Sequence, residues 1–232
     1  MVKILFICHG NICRSPTAEF VMKDLVRRAG GDADFEIASA ATHTDEIGNP
    51  VYPPARRLLA RHGIDCSRKR ARLMRREDYE YYDLLIGMDE ENLRDMHRMF
   101  GTDKGGKLHN MMEYAGHPHD AVADPWYTRD FERTWLDVTW ACQGLLEALT
   151  GIVTLDFSRC DNVPSLYARI REKMAWQDWY GENLDALYDI LTGLPHRGEH
   201  FVLIPPASSS AELTEYIDRL QSVFAEAGAL QE

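Results

Sequence analysis

A cysteine, five intervening residues, an arginine and a serine join two stretches of different periodicity near the start of this chain: VKILFIC, then HGNICR, then SPTAEFVMKDLVRRAG. The first is a run of apolar, β-branched and aromatic residues about as long as a buried strand, and the last repeats apolar residues at helical spacing. Ser15 is a natural N-cap, Pro16 suits a first turn and Glu19 falls near the capping-box position, which starts the helix right behind Arg14. The amide-rich end of that helix then faces the loop, and an anion site results. Gly10 and Asn11 are residue types that tolerate the left-handed dihedrals such a curl needs. Arg14 adds a fork of donors matching two phosphate oxygens, and the same field favours thiolate over thiol at Cys8. A thiolate beneath a bound phosphate is a nucleophile in position. A lone cysteine at a strand end is usually a small buried hydrophobe; Cys8, Gly10, Asn11, Arg14, Ser15 and Pro16 together are far more specific.

The stretch VKILFICHGNICRSPTAEF resembles the N-terminus of the low-molecular-weight protein tyrosine phosphatases. The similarity continues through SAATHTDEIGNPVYPPARRLLARHGID, EDYEYYDLLIGMDEENLRDM and VADPWYTRDFERTW, covering about residues 1–149. It implies an α/β fold with a four-stranded parallel sheet flanked by helices, and two-step phosphate monoester hydrolysis through a phosphocysteine. Carried over, Cys8 is the nucleophile, Arg14 binds phosphate within a loop that also holds His9, Gly10, Ile12 and Cys13, Asn11 and Ser39 support that loop, and Ser15 steadies the thiolate.

Independently of the family, the leaving oxygen needs a proton donor. An acid beside a proline ahead of a long helix is a candidate, and ADPWYTRDF offers Asp124. By itself this reads more readily as an ordinary Asp-Pro turn; the resemblance makes it the general-acid loop, with Trp126 and Tyr127 as the aromatic wall for a phosphotyrosine ring. There are departures. Asp45 stands where relatives often place an aromatic on the opposite wall, and Lys69 falls near a histidine that supports the loop in some relatives. Ile12 replaces the threonine of relatives acting on phosphoarginine, which favours phosphotyrosine.

The cysteines Cys8, Cys13, Cys66, Cys142 and Cys160 are odd in number and show no framework spacing, and no secretory or transmembrane segment accompanies them, so the chain reads as reduced and cytoplasmic. Nothing between Cys66 and Cys142 supplies the resolving pair that arsenate reductases on this scaffold use. Cys13 shares the loop with Cys8 and either closes a reversible disulfide under oxidation or packs beneath the loop. The chemistry calls for neither metal nor cofactor.

At 232 residues the chain is long for one such domain. After FERTWLDVTWACQGLLEAL, a helix stop at Gly151 and a new strand place a boundary near Thr150, giving domains 1–150 and 151–232. The second reads strand, helix, helix, strand, helix, an alternation that favours a small α/β layer with parallel strands. It carries 6 Lys and Arg against 13 Asp and Glu, a balance that excludes nucleic acid as a direct partner and suits a basic protein. WYGENLDALYDILTGL resembles the segment of barstar, the intracellular ribonuclease inhibitor, that enters the ribonuclease active site, and the similarity spans roughly 152–228. It implies a contact face of Trp179, Asp185, Tyr188, Asp189 and Glu226. Asp185 and Asp189 are four apart, so both carboxylates share a helix face beside Tyr188 and can stand in for RNA phosphates. Against this, an acidic helix face is usually only solvated, and Tyr188 at that spacing can pack inward. The barstar pattern ends in a further strand, where this sequence has AGALQE, so a small domain without the usual last strand is expected, its sheet edge either bare or covered by the phosphatase half. The competing readings are docking onto some other basic protein, and a ribonuclease-inhibitor or binding protein whose phosphatase half is regulatory or vestigial.

Overall fold

The computed structural model describes residues 1–174, 182–193, 200–206 and 209–230, in two compact units, Met1–Leu146 and Glu147–Glu232. Among the described residues no helix is long and apolar enough to cross a membrane.

The first unit alternates β1 (Val2–Cys8), α1 (Arg14–Arg28), β2 (Phe35–Ala41), α2 (Pro53–Arg61), α3 (Asp78–Tyr81), β3 (Leu84–Gly87), α4 (Glu90–Phe100), β4 (Leu108–Asn110), α5 (Pro125–Thr128) and α6 (Phe131–Thr150). The four strands form one parallel sheet in the order β2-β1-β3-β4. Ile4, Leu5, Phe6 and Ile7 of β1 are all fully buried, because β1 is an inner strand with both faces covered, which is why VKILFIC shows no alternation. The chain leaves β1 toward β2 on one side and returns to β3 on the other. The crevice beyond the carboxyl ends of β1 and β3 is therefore the topological switch point, where ligands of open α/β sheets bind.

α1 begins at Arg14, as expected, but Ser15 does not cap it: the N-cap position is Cys13, with no side-chain cap bond. Ser15 lies inside the first turn with its hydroxyl committed to other partners, and Glu19 is likewise drawn away from the capping-box role by a buried cation and a serine. Asn11 takes the left-handed conformation at φ 55°, whereas Gly10 does not. Gly10 instead lies close to Glu46: a Cβ there would sit 3.0 Å from its Cγ, so the glutamate side chain would have to give way. A second close approach occurs at Gly144 of α6, where a Cβ would collide with the carbonyl of Tyr114.

The second unit holds the end of α6, then β5 (Ile152–Asp156), α7 (Val163–Met174), α8 (Leu184–Gly193), β6 (His200–Ile204) and α9 (Ala211–Glu226). Gly151 at φ 73° ends α6, in agreement with the sequence reading. β5 and β6 pair in parallel. One face of α9, Leu213, Ile217, Leu220 and Phe224, packs into a core with Leu155, Phe157, Leu166, Tyr167, Ile170, Leu187 and Phe201. No strand follows α9 among the described residues, but the edge of β6 is not bare. Phe201 N–H donates to the carbonyl of Ala229 at 2.7 Å, and Leu230 forms a parallel bridge with Phe201.

Candidate active site

Cys8 ends β1, and the chain turns through His9–Cys13 into α1, so the thiol sits between the end of a strand and the start of a helix. Its Sγ lies 3.0 Å from the hydroxyl of Ser15. The carboxamide of Asn11 is oriented unambiguously, because its Oδ1 accepts from the backbone N–H of Arg72 at 3.1 Å. Its Nδ2 then donates to Ser15 Oγ at 2.9 Å and to Ser39 Oγ at 2.8 Å. One amide thus links Ser39 to Ser15, the residue that touches Cys8.

Arg14, only 5% exposed, is held by two carboxylates that each also cap a helix. Asp89 accepts from the N–H of Asn92 at the start of α4 with Oδ1, and its Oδ2 lies 2.5 Å from Arg14 Nη1. Asp124 accepts from the N–H of Trp126 with Oδ1, and its Oδ2 lies 2.6 Å from Arg14 Nη2. Burial alone would weaken the guanidinium's hold on its proton, but the Cys8 sulfur, Asp124 and Asp89 outweigh it and raise its pKa above the ordinary value. The Asp124 loop is itself anchored from α6. Buried Asp137 accepts from the N–H of Ala123 at 3.0 Å, and Thr134 donates to the Ala123 carbonyl at 2.8 Å.

Cys8, Arg14, Asp89 and Asp124 line a cavity of about 370 Å³. Cys8, His9, Gly10, Ile12, Cys13, Arg14 and Asp124 reach it, together with Trp126 and Tyr127, 54% and 83% exposed, and with Asp45, Glu46, Asp89 and Glu91. Asp45 pairs with His9 at 3.3 Å, and the His9 ring stacks on His43 with centroids 4.0 Å apart. Cys13 is a held thiol: burial first, then the charges of Cys8 and Asp124, push its pKa up to about 12. Burial also raises the thiols of Cys66, Cys142 and Cys160, and all five cysteines are unpaired. Among the described residues no cluster of His, Cys, Asp or Glu is arranged to hold a metal ion.

Residues 3–153 match the family model for low molecular weight phosphotyrosine protein phosphatase. The chain belongs to that family. The low molecular weight protein-tyrosine-phosphatase YfkJ of Bacillus subtilis is 33% identical over 150 residues, spanning 64% of this chain and 96% of that protein. The crystal structure of YfkJ superposes with a TM-score of 0.63 at 32% identity, covering 65% of this chain and 96% of that one. The phosphatase from Streptococcus pyogenes does so with a TM-score of 0.58 at 37% identity, covering 65% and 94%. The chain is thus an enzyme of the protein-tyrosine-phosphatase kind, on that family's four-stranded parallel sheet. Residues 150–232 match the Barstar (barnase inhibitor) model, so a barstar-like domain follows the phosphatase domain.

On α8 of that domain, Asp185, Tyr188 and Asp189 are exposed while Leu187 and Leu191 are buried, so Tyr188 does not pack inward. Glu226, at the end of α9, is exposed. Trp179 lies outside the described residues. Sequence reasoning missed Asp89, Asp137 and Thr134. The only local signal for Asp89 was an acid followed by EEN at a helix start, the signature of a cap.

Proposed function

We propose that the first domain, residues 1–150, hydrolyses phosphotyrosine in proteins through a phosphocysteine on Cys8, and that residues 151–232 form an acidic protein-binding domain. The observation that carries the first reading is the meeting of Cys8 Sγ, the Arg14 fork and the Asp124 carboxyl in one cavity. The phosphate takes the place of Asp124 on Arg14, and the loop amides hold its remaining oxygens. The Cys8 thiolate forms a bond to phosphorus as the bond from phosphorus to the aryl oxygen breaks, and Asp124 gives that oxygen its proton. Asp124, now a carboxylate, takes a proton from water. The resulting hydroxide attacks phosphorus, the S–P bond breaks, and inorganic phosphate and the thiolate are released. Trp126 and Tyr127 provide faces for the phenyl ring, and apolar Ile12 suits an aryl ester. Rapid acid quench of a ³²P-phosphotyrosyl peptide should trap label on wild-type protein. In Cys8→Ser both the label and turnover should vanish, and near wild-type turnover in that variant would refute the mechanism.

For the second domain, the exposed face of Asp185, Tyr188 and Asp189 supports binding of a basic protein, with a ribonuclease as the specific form of the reading. RNA cleavage by a small basic ribonuclease, titrated with the full chain, tests it: an inhibitor stops cleavage near equivalence, while a docking domain for another protein leaves it untouched. The five unpaired cysteines support a reducing, cytoplasmic setting.

A further inference from the structure

The proton donor of the proposed reaction sits on a loop, and a loop places a side chain only as well as its own backbone is held. For Asp124 the holding groups come from α6, where Thr134 is 3% exposed and Asp137 1%. The two are three apart and therefore neighbours on one helix face. A carboxylate that deep is costly unless donors meet it, and here both buried groups meet the same residue. Asp137 Oδ2 accepts from the Ala123 N–H at 3.0 Å, and the Thr134 hydroxyl donates to the Ala123 carbonyl at 2.8 Å. That hydroxyl has one proton to give, and its other acceptor, the Asp130 carbonyl, is farther away at 3.3 Å. Oδ1 of Asp137 faces Arg133 Nε at 2.9 Å, an ion pair without the alignment of a hydrogen bond.

Holding both the N–H and the carbonyl of Ala123 fixes the peptide planes on either side of its Cα, and the second of those planes carries the nitrogen of Asp124. The neighbouring residues remove much of the remaining freedom. Val122 N–H donates at 2.9 Å to the carbonyl of Met88, the residue just before the Asp89 that holds Arg14. On the other side Pro125 restricts the backbone of Asp124, which sits at φ −84° and ψ 110°. On the proposed mechanism, phosphate takes the place of the Asp124 carboxylate on Arg14. Only the bond from Trp126 N–H, inside the same loop, then still holds that carboxyl, and the direction of its proton is set by the backbone. We propose that Asp137 and Thr134 are positioning residues that aim Asp124 at the leaving oxygen by clamping Ala123. This deepens the phosphatase reading and rests on it.

Which substrate suffers separates a clamp that aims from a brace that only stabilises. A brace, when loosened, lowers the melting temperature and slows every ester alike. Poor aim slows the ester whose leaving oxygen needs a proton and spares the one that leaves as a stable anion. It also does nothing further once the acid itself is gone, because two changes that act through one group do not add.

On the full chain, kcat/KM for a phosphotyrosyl peptide is divided by kcat/KM for p-nitrophenyl phosphate. The ratio should fall about threefold to tenfold in Thr134→Val and in Asp137→Leu, the cost of one lost hydrogen bond expressed as a rate. Thr134→Ser, which keeps the hydroxyl, should restore the ratio lost in Thr134→Val. In an Asp124→Asn background, Thr134→Val should change the ratio no further. Equal losses on both esters, an unchanged ratio in both single variants, or a Thr134→Val effect that persists without Asp124 overturns the proposal. A wild-type chain that hydrolyses neither ester removes the phosphatase reading and this proposal together, whereas those three outcomes leave the reading intact.

Discussion

Replacing Asp124 by asparagine should slow the reaction and tighten the product at the same time. Without ligand, the Asp124 carboxylate occupies one arm of Arg14 at 2.6 Å, with the two side chains 24% and 5% exposed, so on the proposed mechanism a phosphate has to displace it before the guanidinium can serve as its clamp. A charge-assisted hydrogen bond in such a setting is worth about 1.5–3 kcal/mol and a neutral one about 0.5–1.5 kcal/mol. The neutral amide introduced by Asp124→Asn would therefore compete less well by about 1–2 kcal/mol, and inorganic phosphate should bind roughly fivefold to thirtyfold tighter. Turnover of a phosphotyrosyl peptide should fall about a hundredfold to ten-thousandfold, with a smaller loss on p-nitrophenyl phosphate, whose leaving group needs no proton. Competitive inhibition constants for phosphate, measured on p-nitrophenyl phosphate with both proteins, give the number. Asp45→Asn is the control, because Asp45 lines the same cavity but pairs with His9 rather than Arg14. If phosphate binds Asp124→Asn no tighter than wild type, or Asp45→Asn gains as much, displacement from Arg14 is not the cause.

Peroxide should oxidise Cys8 quickly, but closure onto Cys13 should be slow at neutral pH and quicken about tenfold per pH unit, since that thiol is pushed up to about 12; trapping the sulfenic acid with dimedone at two pH values checks this, and pH-independent closure would contradict it. Gly144→Ala, a change that ordinarily favours a helix, should here destabilise by about 3 kcal/mol, lowering the melting temperature of the first domain by roughly 6–12 °C in calorimetry, because the new methyl meets the Tyr114 carbonyl. Binding of a basic partner by the second domain should weaken steeply between low and physiological salt, and Asp189→Ala should cost more than Glu212→Ala, an exposed residue on the first turn of α9; surface plasmon resonance at several salt concentrations would show otherwise if the contact were apolar.

The parts of the site legible in the sequence are those whose logic is local. A buried strand, a glycine- and asparagine-bearing loop and a helix with an arginine at its start lie within residues 2–28, so Cys8 and Arg14 could be placed from period and spacing. Asp124 stood out because proline marks its loop. The errors came from applying local rules where tertiary partners win. Ser15 and Glu19 match a capping pattern, yet Asn11 and Cys8 claim the serine, and Ser39 and Lys69, from other segments, claim the glutamate. Asp89 and Asp137 look like ordinary polar helix residues until β3 and α6 bring them to Arg14 and Ala123. In the second domain the alternation of elements could be read, but the bridge from Leu230 to Phe201 could not, since a single pairing leaves no periodic trace.

The cavity is lined by five carboxylates, Asp45, Glu46, Asp89, Glu91 and Asp124, and Arg14, already engaged twice, is the sole Lys or Arg among the described residues that line it. An approaching phosphorylated peptide rich in aspartate or glutamate meets repulsion before it meets the clamp. Added salt should then speed its capture, the inverse of the familiar decline for oppositely charged pairs, and sequences with lysine or arginine beside the modified tyrosine should be taken first. On the proposed mechanism, discrimination between substrates should then arise at the cavity's charged lining as well as at Cys8.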